Sequence, residues 1–244
     1  MIYNNFYFWV GLMDGDGSIQ VNHWRKKCLQ FRFVIKLKDT FLNHQMLTQF
    51  CQCLMGGRIT NSSKGFIVWV VNDKKTILRL ANLLDKFPPL TKRLQCQLEF
   101  LKENLQRNNI DWYLMNRNSK YNKTDLDKTD PELNPYWISG FIEALPCCFT
   151  IRKANNHSFS ISLPNEGGRV LLEKIRDYFG CPSSNKIHKK KTFYVLEIYR
   201  KEILFSIINH LTQKAPLLGE KKISFKYFQS VMLSHHCGNS FPVS

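Results

Sequence analysis

The amino-acid sequence predicts an α+β protein built from two similar halves. A short apolar segment with a central glycine occurs twice, as WVGLMDGDGSI around Gly11 and as WISGFIEALPCCF around Gly140. Behind each copy the chain repeats the same order of patterns, which is two strands, a helix, two more strands and a helix. The repetition indicates two αββαββα halves related by a pseudo-twofold axis.

The two glycine-centred segments are predicted to be short helices. FYFWVGLMD and PYWISGFIE are apolar on nearly every side, and Pro135 suits the first turn of the second helix. An isolated glycine costs a helix about 1 kcal/mol relative to alanine. Because both copies keep one, we expect Gly11 and Gly140 to lie where two helix backbones approach closely.

Alternating polarity predicts the strands. In residues 28–38 apolar side chains alternate with polar ones, so one face of this strand is apolar. The opposite face carries Gln30, Arg32, Lys36 and Lys38. Residues 158–163 alternate in the same way, with serines in place of the charges. The pattern therefore predicts sheets with one buried face and, in the first half, one basic face.

The repeats also set the expected domain boundaries. The N-terminal half is expected at residues 1–104 and the C-terminal half at residues 135–233. Residues 105–134 are polar and rich in turn formers, which predicts a linker, and residues 234–244 are predicted to be a polar tail.

The composition favours a polyanionic partner. The net charge is +16, and an excess of this size is typical of proteins that bind nucleic acid. Apolar residues make up 43% of the chain, enough for a core, but no apolar run is long enough to indicate a membrane span. The abundance of Asn, Lys, Ile and Phe suits an AT-rich genome, so we expect an organellar protein of a mitochondrion or chloroplast.

The two glycine-centred segments together resemble the motifs of single-chain LAGLIDADG homing endonucleases and intron maturases. The later segments PPLTKRL and APLLGEKKI resemble a basic segment of the same family. The resemblance implies a monomer with an internal pseudo-dimer, in which the motif helices pack at the centre and two four-stranded antiparallel sheets form a saddle. The implied partner is double-stranded DNA, whose major groove admits β-ribbons, or structured RNA.

The resemblance also implies a hydrolytic site. Phosphodiester hydrolysis needs a nucleophilic water and neutralisation of developing charge, which a carboxylate-bound divalent metal, usually Mg²⁺, supplies. In the family each motif provides one carboxylate at its next-to-last position, which is Asp16 here, and the carbonyl of Gly15 is the expected second ligand. The family's basic residues at the phosphates correspond to Lys92 or Arg93, and to Lys221 or Lys222.

Other polar and basic side chains are candidates for nucleic-acid contacts. In the first half they are Gln30, Arg32, Lys36, Lys38 and Arg58. In the second half they are Arg152, Lys153, Lys186, His188, Lys189 and Lys190.

The second motif lacks its metal-binding acid. Leu145 stands where Asp16 stands in the first copy, and Pro146 replaces the glycine that follows. Because proline disfavours helical geometry at the preceding residue, we expect residue 145 to depart from helical geometry. The earlier acids, Asp14 and Glu143, are expected to be structural, since side chains two residues apart on a helix point in different directions.

Three functions are compatible with this pattern. The missing acid favours a LAGLIDADG-derived nucleic-acid-binding protein with impaired double-strand cleavage, such as an intron maturase or a component of an RNA–protein assembly. The alternatives are a working homing endonuclease or nickase that acts through Asp16, and a DNA-binding regulator. Whether the chain is an enzyme therefore depends on one carboxylate.

Overall fold

The structure is a computed structural model that describes residues 2–62, 64–122, 132–146, 148–153 and 156–237. The chain forms two compact units, residues 1–144 and 145–244. Each unit contains one four-stranded antiparallel sheet with helices, in agreement with the predicted fold class. No helix in the described ranges is long and apolar enough to cross a membrane.

The first unit contains the first sheet and both motif helices. Its elements are α1 (Ile2–Asp16), β1 (Ser18–Trp24), β2 (Cys28–Lys38), α2 (Phe41–Cys53), β3 (Arg58–Ser62), β4 (Phe66–Val71), α3 (Lys74–Lys86), α4 (Lys92–Arg107), α5 (Ile110–Asn116) and α6 (Pro135–Ala144). Thr40, Asp73 and Thr91 begin α2, α3 and α4, because each side chain accepts a backbone N–H hydrogen bond at the helix N-terminus.

The motif helices α1 and α6 meet at their glycines. A Cβ atom on Gly11 would lie 2.0 Å from the carbonyl oxygen of Trp137, and one on Gly140 would lie 2.0 Å from that of Phe8. Trp137 holds the position in α6 that Phe8 holds in α1, so the contact is self-complementary. Both glycines therefore lie at the close backbone approach expected from the sequence, and this contact joins the second motif helix to the first unit.

The first sheet separates a buried face from an open one. Its strands follow the order β1–β2–β4–β3. Phe33 and Ile35 of β2 and Ile67 and Trp69 of β4 are fully buried, while Lys36 and the other polar residues of β2 lie on the opposite face. The alternation predicted for residues 28–38 is thus present.

The segment predicted as a linker is partly helical. Helix α4 continues beyond residue 104, and α5 follows it. Tyr113 of α5 is buried against Phe100 of α4, with ring centroids 6.0 Å apart. Trp112 of α5 also stacks on Phe100, with ring centroids 5.8 Å apart. Two aromatic side chains therefore anchor this short helix, and the polar composition around them conceals it in the sequence. Residues 123–131 of the predicted linker lie outside the described residues.

The second unit repeats the sheet of the first. Its elements are β5 (Phe149–Thr150), β6 (Ser158–Pro164), α7 (Gly168–Tyr178), β7 (Ile187–Lys189), β8 (Phe193–Ile198), α8 (Lys201–Asn209), a π-helical turn (His210–Lys214) and α9 (Lys221–Cys237). The strand order β5–β6–β8–β7 matches that of the first sheet. Residues 234–237, predicted as tail, continue α9, and residues 238–244 lie outside the described residues.

We expect Gly11→Ala to destabilise the protein, although alanine normally favours a helix. The added methyl group would overlap the Trp137 carbonyl and push α1 away from α6, so the free energy of unfolding should fall by about 2 kcal/mol or more. Chemical denaturation measures this change. Gln49→Ala on the exposed side of α2 is the control and should change stability by less than about 0.5 kcal/mol. A Gly11→Ala protein as stable as the control would contradict the close contact.

Candidate nucleic-acid interface and hydrolytic site

The first motif helix ends in the two residues predicted to bind metal. Asp16 is the last residue of α1, and its side chain is exposed. Desolvation on its protein side raises the pKa of Asp16 above the ordinary value, and the positive charge of Arg93 opposes this shift. No described residue donates a hydrogen bond to the carbonyl oxygen of Gly15. Two oxygen ligands are therefore available at this helix end.

Arg93 holds the end of α1 in position. Its Nη1 donates to the carbonyl of Gly17 at 2.6 Å, and its Nη2 donates to the carbonyls of Met13 and Asp14, both at 2.9 Å. The last carbonyls of a helix lack partners within the helix, and a cation there also complements the helix dipole. Arg93, which the sequence left as an alternative phosphate ligand, therefore supports the backbone that carries Asp16.

Lys92 differs from its neighbour. It is the first residue of α4 and is half-buried. Its ammonium group has no hydrogen-bond or ion-pair partner within the described part of the chain. Of these two adjacent cations, Lys92 is the one whose charge remains available to a phosphate.

Asp14 connects three helices through its carboxylate. One oxygen accepts hydrogen bonds from the backbone N–H of Leu90 at 2.8 Å and from Trp137 Nε1 at 2.8 Å. The other accepts from the N–H and the hydroxyl of Thr91 at 3.0 and 2.5 Å. Burial raises the pKa of Asp14, and these hydrogen bonds partly offset that rise. The carboxylate of Asp14 thus ties α1 to α6 and to the start of α4, which is the structural role expected for it. Glu143, the corresponding acid of the second motif, is also buried.

The second motif has a different local structure. Helix α6 ends at Ala144, one residue before the position equivalent to Asp16, and Leu145 and Pro146 follow in a bend. Leu145 is only 9% exposed, whereas its counterpart Asp16 is exposed. The ammonium of Lys221 donates a hydrogen bond to the carbonyl oxygen of Leu145. Lys221, predicted to stabilise charge at the phosphates, is therefore engaged with the backbone of the degenerate motif.

Of the two motifs, the first suits a divalent cation. The carboxylate of Asp16 and the carbonyl of Gly15 are hard oxygen donors of the kind that Mg²⁺ takes. At the second motif the side chain is apolar and the Leu145 carbonyl already accepts from a cation. No group of three or more His, Cys, Asp or Glu side chains that could hold a metal lies within the described ranges. An ion at Asp16 would take its remaining ligands from water and phosphate oxygens.

The open face of the first sheet brings together all of its predicted binding residues. The register places Arg32 opposite Gln20, Lys36 opposite Val68, and Arg58 opposite Val70. The ammonium of Lys36 lies 4.6 Å from the ring centroid of Phe66 on the same face. The full polar set on this face of the four strands is Ser18, Gln20, Asn22, Gln30, Arg32, Lys36, Lys38, Arg58, Thr60 and Ser62. The four cations have no carboxylate among the strand residues of this face.

The candidates of the second half do not form an equivalent basic face. Strand β5 has only two residues, so Arg152 and Lys153 follow it in a loop. Arg152 is paired with Glu197 of β8, with Nη2 and Oε1 3.2 Å apart. Arg152 therefore lies outside the strands, because the extended pattern of the first half breaks after Thr150. Its contact with nucleic acid stays a prediction.

The other predicted binding residues of the second half lie in or beside the short strand β7. His188 lies opposite Val195 on the open face, whereas Lys189 lies opposite Tyr194 on the other face. Lys186 precedes the strand and Lys190 follows it, and both are exposed. Sequence reasoning could not separate the two faces of a three-residue strand.

Sequence reasoning also missed residues on both open faces. Gln20 and Thr60 stand on the first, and the alternating segment SIQVN would have indicated Gln20. Glu197 stands on the second, opposite Ser160. An acid is not expected on a surface that meets a polyanion.

Comparison with known proteins identifies the family. The family model described as LAGLIDADG endonuclease matches residues 9–104 and 138–232. The chain belongs to this family. The two matched ranges begin inside the two motif helices, and they cover both sheets of this LAGLIDADG protein.

Three relatives are similar to the chain over most of its length. The chain is 44% identical to the "Probable intron-encoded endonuclease aI3" of Dictyostelium citrinum over 233 residues, covering 91% of this chain and 93% of that protein. It is 37% identical to the protein of the same name in Dictyostelium discoideum over 225 residues, covering 91% and 95%. It is 29% identical to the "Uncharacterized mitochondrial protein RF1" of Saccharomyces cerevisiae over 270 residues, covering 94% and 55%.

Solved structures share the fold. The homing endonuclease I-LtrWI bound to target DNA has a TM-score of 0.77 at 18% identity, covering 97% of this chain and 92% of that one. I-SmaMI bound to an uncleaved DNA target in the presence of calcium ions has a TM-score of 0.73 at 16% identity, covering 96% and 92%.

We expect Asp14→Asn to destabilise this LAGLIDADG protein strongly. The amide offers one oxygen acceptor and turns an NH₂ group toward N–H donors, so buried donors of Leu90, Thr91 or Trp137 lose their acceptor. The free energy of unfolding should fall by about 3 kcal/mol, measured by chemical denaturation. Asp39→Asn, at an exposed position, is the matched control and should be nearly neutral. Equal stabilities of the two variants would show that the Asp14 network does not hold the helices together.

We expect Lys36→Ala and Lys38→Ala to weaken binding of duplex DNA through the lost charge. Each substitution that removes a phosphate contact should lower the slope of log K against log salt by about one unit. Lys74→Ala and Lys75→Ala at the start of α3 remove the same charge away from the open face and serve as matched controls. Titration of labelled duplex at several salt concentrations measures both sets. An equal loss in both sets would mean that the open face is not the binding surface.

Proposed function

We propose that this LAGLIDADG protein binds double-stranded DNA and that its second motif no longer supports double-strand cleavage. At most it nicks one strand through Asp16. One observation carries the proposal: at the position equivalent to Asp16 the second motif has a buried leucine whose carbonyl accepts a hydrogen bond from Lys221.

The geometry of the two motifs supports a difference in activity between them. At the first motif Asp16 is exposed. Within the described ranges no group donates a hydrogen bond to the Gly15 carbonyl, and the ammonium of Lys92 has no partner. At the second motif no carboxylate replaces Leu145, and the corresponding cation is engaged with the backbone. Loss of one well-placed electrostatic contact typically costs a factor of about 10²–10³ in rate, and loss of a metal ligand can cost more.

The first motif has the groups that strand cleavage requires. A divalent cation bound by Asp16 would supply a metal-bound water as nucleophile and would neutralise charge at the scissile phosphate. Mg²⁺ is the ion that we propose, since both donors are hard oxygens. Arg93 keeps the Asp16 backbone in place through the carbonyls of Met13, Asp14 and Gly17. Lys92 can then pair with a phosphate oxygen of the bound strand.

Binding of DNA is supported by the surface and by the relatives. Four cations lie on the open face of the first sheet, and the strands of that sheet contain no carboxylate. Similar folds are described as bound to target DNA. Structured RNA would use the same phosphate contacts, and a role in intron splicing stays a prediction from the sequence.

A working endonuclease is the second candidate. The observation that favours it is the name "Probable intron-encoded endonuclease" of relatives at 44% and 37% identity. These names, with the mitochondrial relative, also support our proposal that the protein is encoded in an organellar intron.

Cleavage of a supercoiled plasmid that carries a bound sequence tests the proposal. The sequence is first selected from random duplex DNA, and cleavage is then followed in Mg²⁺ or Mn²⁺. We expect the wild-type protein to give nicked circles at most, and Asp16→Asn to give none. Leu145→Glu with Pro146→Gly should produce linear plasmid, because it restores an acid and permits the helix to reach it.

The controls separate a lost ligand from a lost fold. Asp85→Asn removes a surface carboxylate paired with Lys102 on α4 and should leave nicking unchanged. Leu145→Glu alone should not restore cleavage, because Pro146 still disfavours helical geometry at residue 145. If the unaltered protein linearised the plasmid efficiently and Asp16→Asn abolished this cleavage, the proposal of impaired double-strand cleavage would be refuted. The protein would then be a working endonuclease.

A further inference from the structure

The open face of the second sheet has a different chemistry from that of the first. Its strand residues are mainly hydroxyl, apolar and aromatic, and they include Glu197. In protein–DNA complexes phosphate contacts fix position, whereas contacts to base edges carry sequence information. A face with few cations and one acid contributes little to phosphate attraction, so its side chains are better suited to reading bases.

Arg152 and Glu197 form a fixed pair on this face. Arg152 Nη2 lies 3.2 Å from Glu197 Oε1, and its Nη1 donates to the Ser158 hydroxyl at 3.2 Å and to the Asn156 carbonyl at 3.3 Å. The Ser158 hydroxyl in turn donates to Glu197 at 3.3 Å. The guanidinium also lies 5.3 Å from the ring centroid of Tyr199. Such contacts orient both charged groups before any ligand binds.

The pair remains accessible to a ligand. The side chains of Arg152 and Glu197 are 41% and 31% exposed, so each keeps an accessible edge. Hydrogen bonds from Tyr199, Arg152 and Ser158 outweigh partial burial and lower the pKa of Glu197, which therefore carries its negative charge at neutral pH. The negative charge of Glu197 weakens the attraction of this face for phosphate groups. Its carboxylate can, however, accept a hydrogen bond from a base.

The pattern of donors and acceptors indicates a base pair. In the major groove guanine presents two neighbouring acceptors, N7 and O6, and its partner cytosine presents the N4 amino donor. An arginine next to a glutamate offers donors next to an acceptor, which complements this order. Thymine O4 would instead meet the glutamate with another acceptor. We propose that Arg152 and Glu197 together recognise a G·C base pair in the major groove, which rests on the proposed binding of duplex DNA.

This arrangement divides the task between the two sheets. The first sheet supplies charge and hence most of the salt-dependent affinity, while the second supplies discrimination. Glu197 also repels the backbone of wrongly placed DNA, which adds to specificity by weakening competing complexes. Arg152, whose charge is balanced by Glu197, adds little to non-specific attraction.

Selection from a pool of random duplex DNA tests the inference. The wild-type protein should select sequences with an invariant G·C pair whose replacement weakens binding on the order of tenfold. For Glu197→Gln the penalty at that pair should fall to less than about threefold, while affinity for random duplex rises because a negative charge is removed. Arg152→Gln should lose the same preference without that rise.

Glu173→Gln is the matched control. Glu173 forms an exposed ion pair with Arg169 on α7 of the same unit, with 2.9 Å between the charged groups, so it repeats the charge change elsewhere. Its selected sequences should equal those of the wild type. Melting temperatures verify folding, and Arg152→Gln carries the test if Glu197→Gln does not fold.

The outcomes separate this inference from the proposed function. Identical preferences for the wild type and both pair variants, or loss of preference at an A·T pair, would overturn the G·C assignment and leave DNA binding intact. A wild-type protein that selects no duplex at all would overturn both.

Discussion

The backbone contact between α1 and α6 is the constraint on which the other features of the first unit depend. Gly11 packs against the carbonyl group of Trp137, and Gly140 packs against that of Phe8. Neither position leaves room for a Cβ atom, so the backbones of the two helices are in direct contact. This closeness puts Trp137 within reach of the Asp14 carboxylate, which also accepts from the start of α4. Helix α4 then carries Arg93 to the end of α1. The position of Asp16 thus depends on packing about one to two turns earlier in the same helix.

The two motif ends show how one side chain changes the role of its neighbours. Where the acid is present, Arg93 supports the helix end and Lys92 has no partner among the described residues. Where leucine replaces it, the backbone bends and Lys221 contacts the carbonyl of that residue. Lys92 and Lys221 hold equivalent positions in the two halves, but in the described part of the chain only Lys221 is bound to the backbone of its motif.

Local pattern predicted the fold and part of the site, and tertiary contacts determined the rest. The repeated glycines and the alternation in residues 28–38 were sufficient because each reflects burial within a single element. The role of Arg93 was not visible, since it depends on carbonyls about 80 residues away in sequence. The pairing of Arg152 with Glu197 joins residues that are 45 positions apart in sequence, and the face of Lys189 depends on the register of a short strand. Helix α5 was missed because composition averaged over a long segment hides two anchoring aromatics.

The bend after α6 makes residues 145 and 146 depend on each other. An acid at residue 145 alone would exchange apolar contacts for a carboxylate where little water reaches, and Pro146 would still hold the chain out of helical geometry. Glycine at residue 146 alone would free the backbone and leave leucine in place. Neither change alone would therefore place a carboxylate in the geometry of Asp16. The second motif thus differs from the first in its backbone as well as in its side chain.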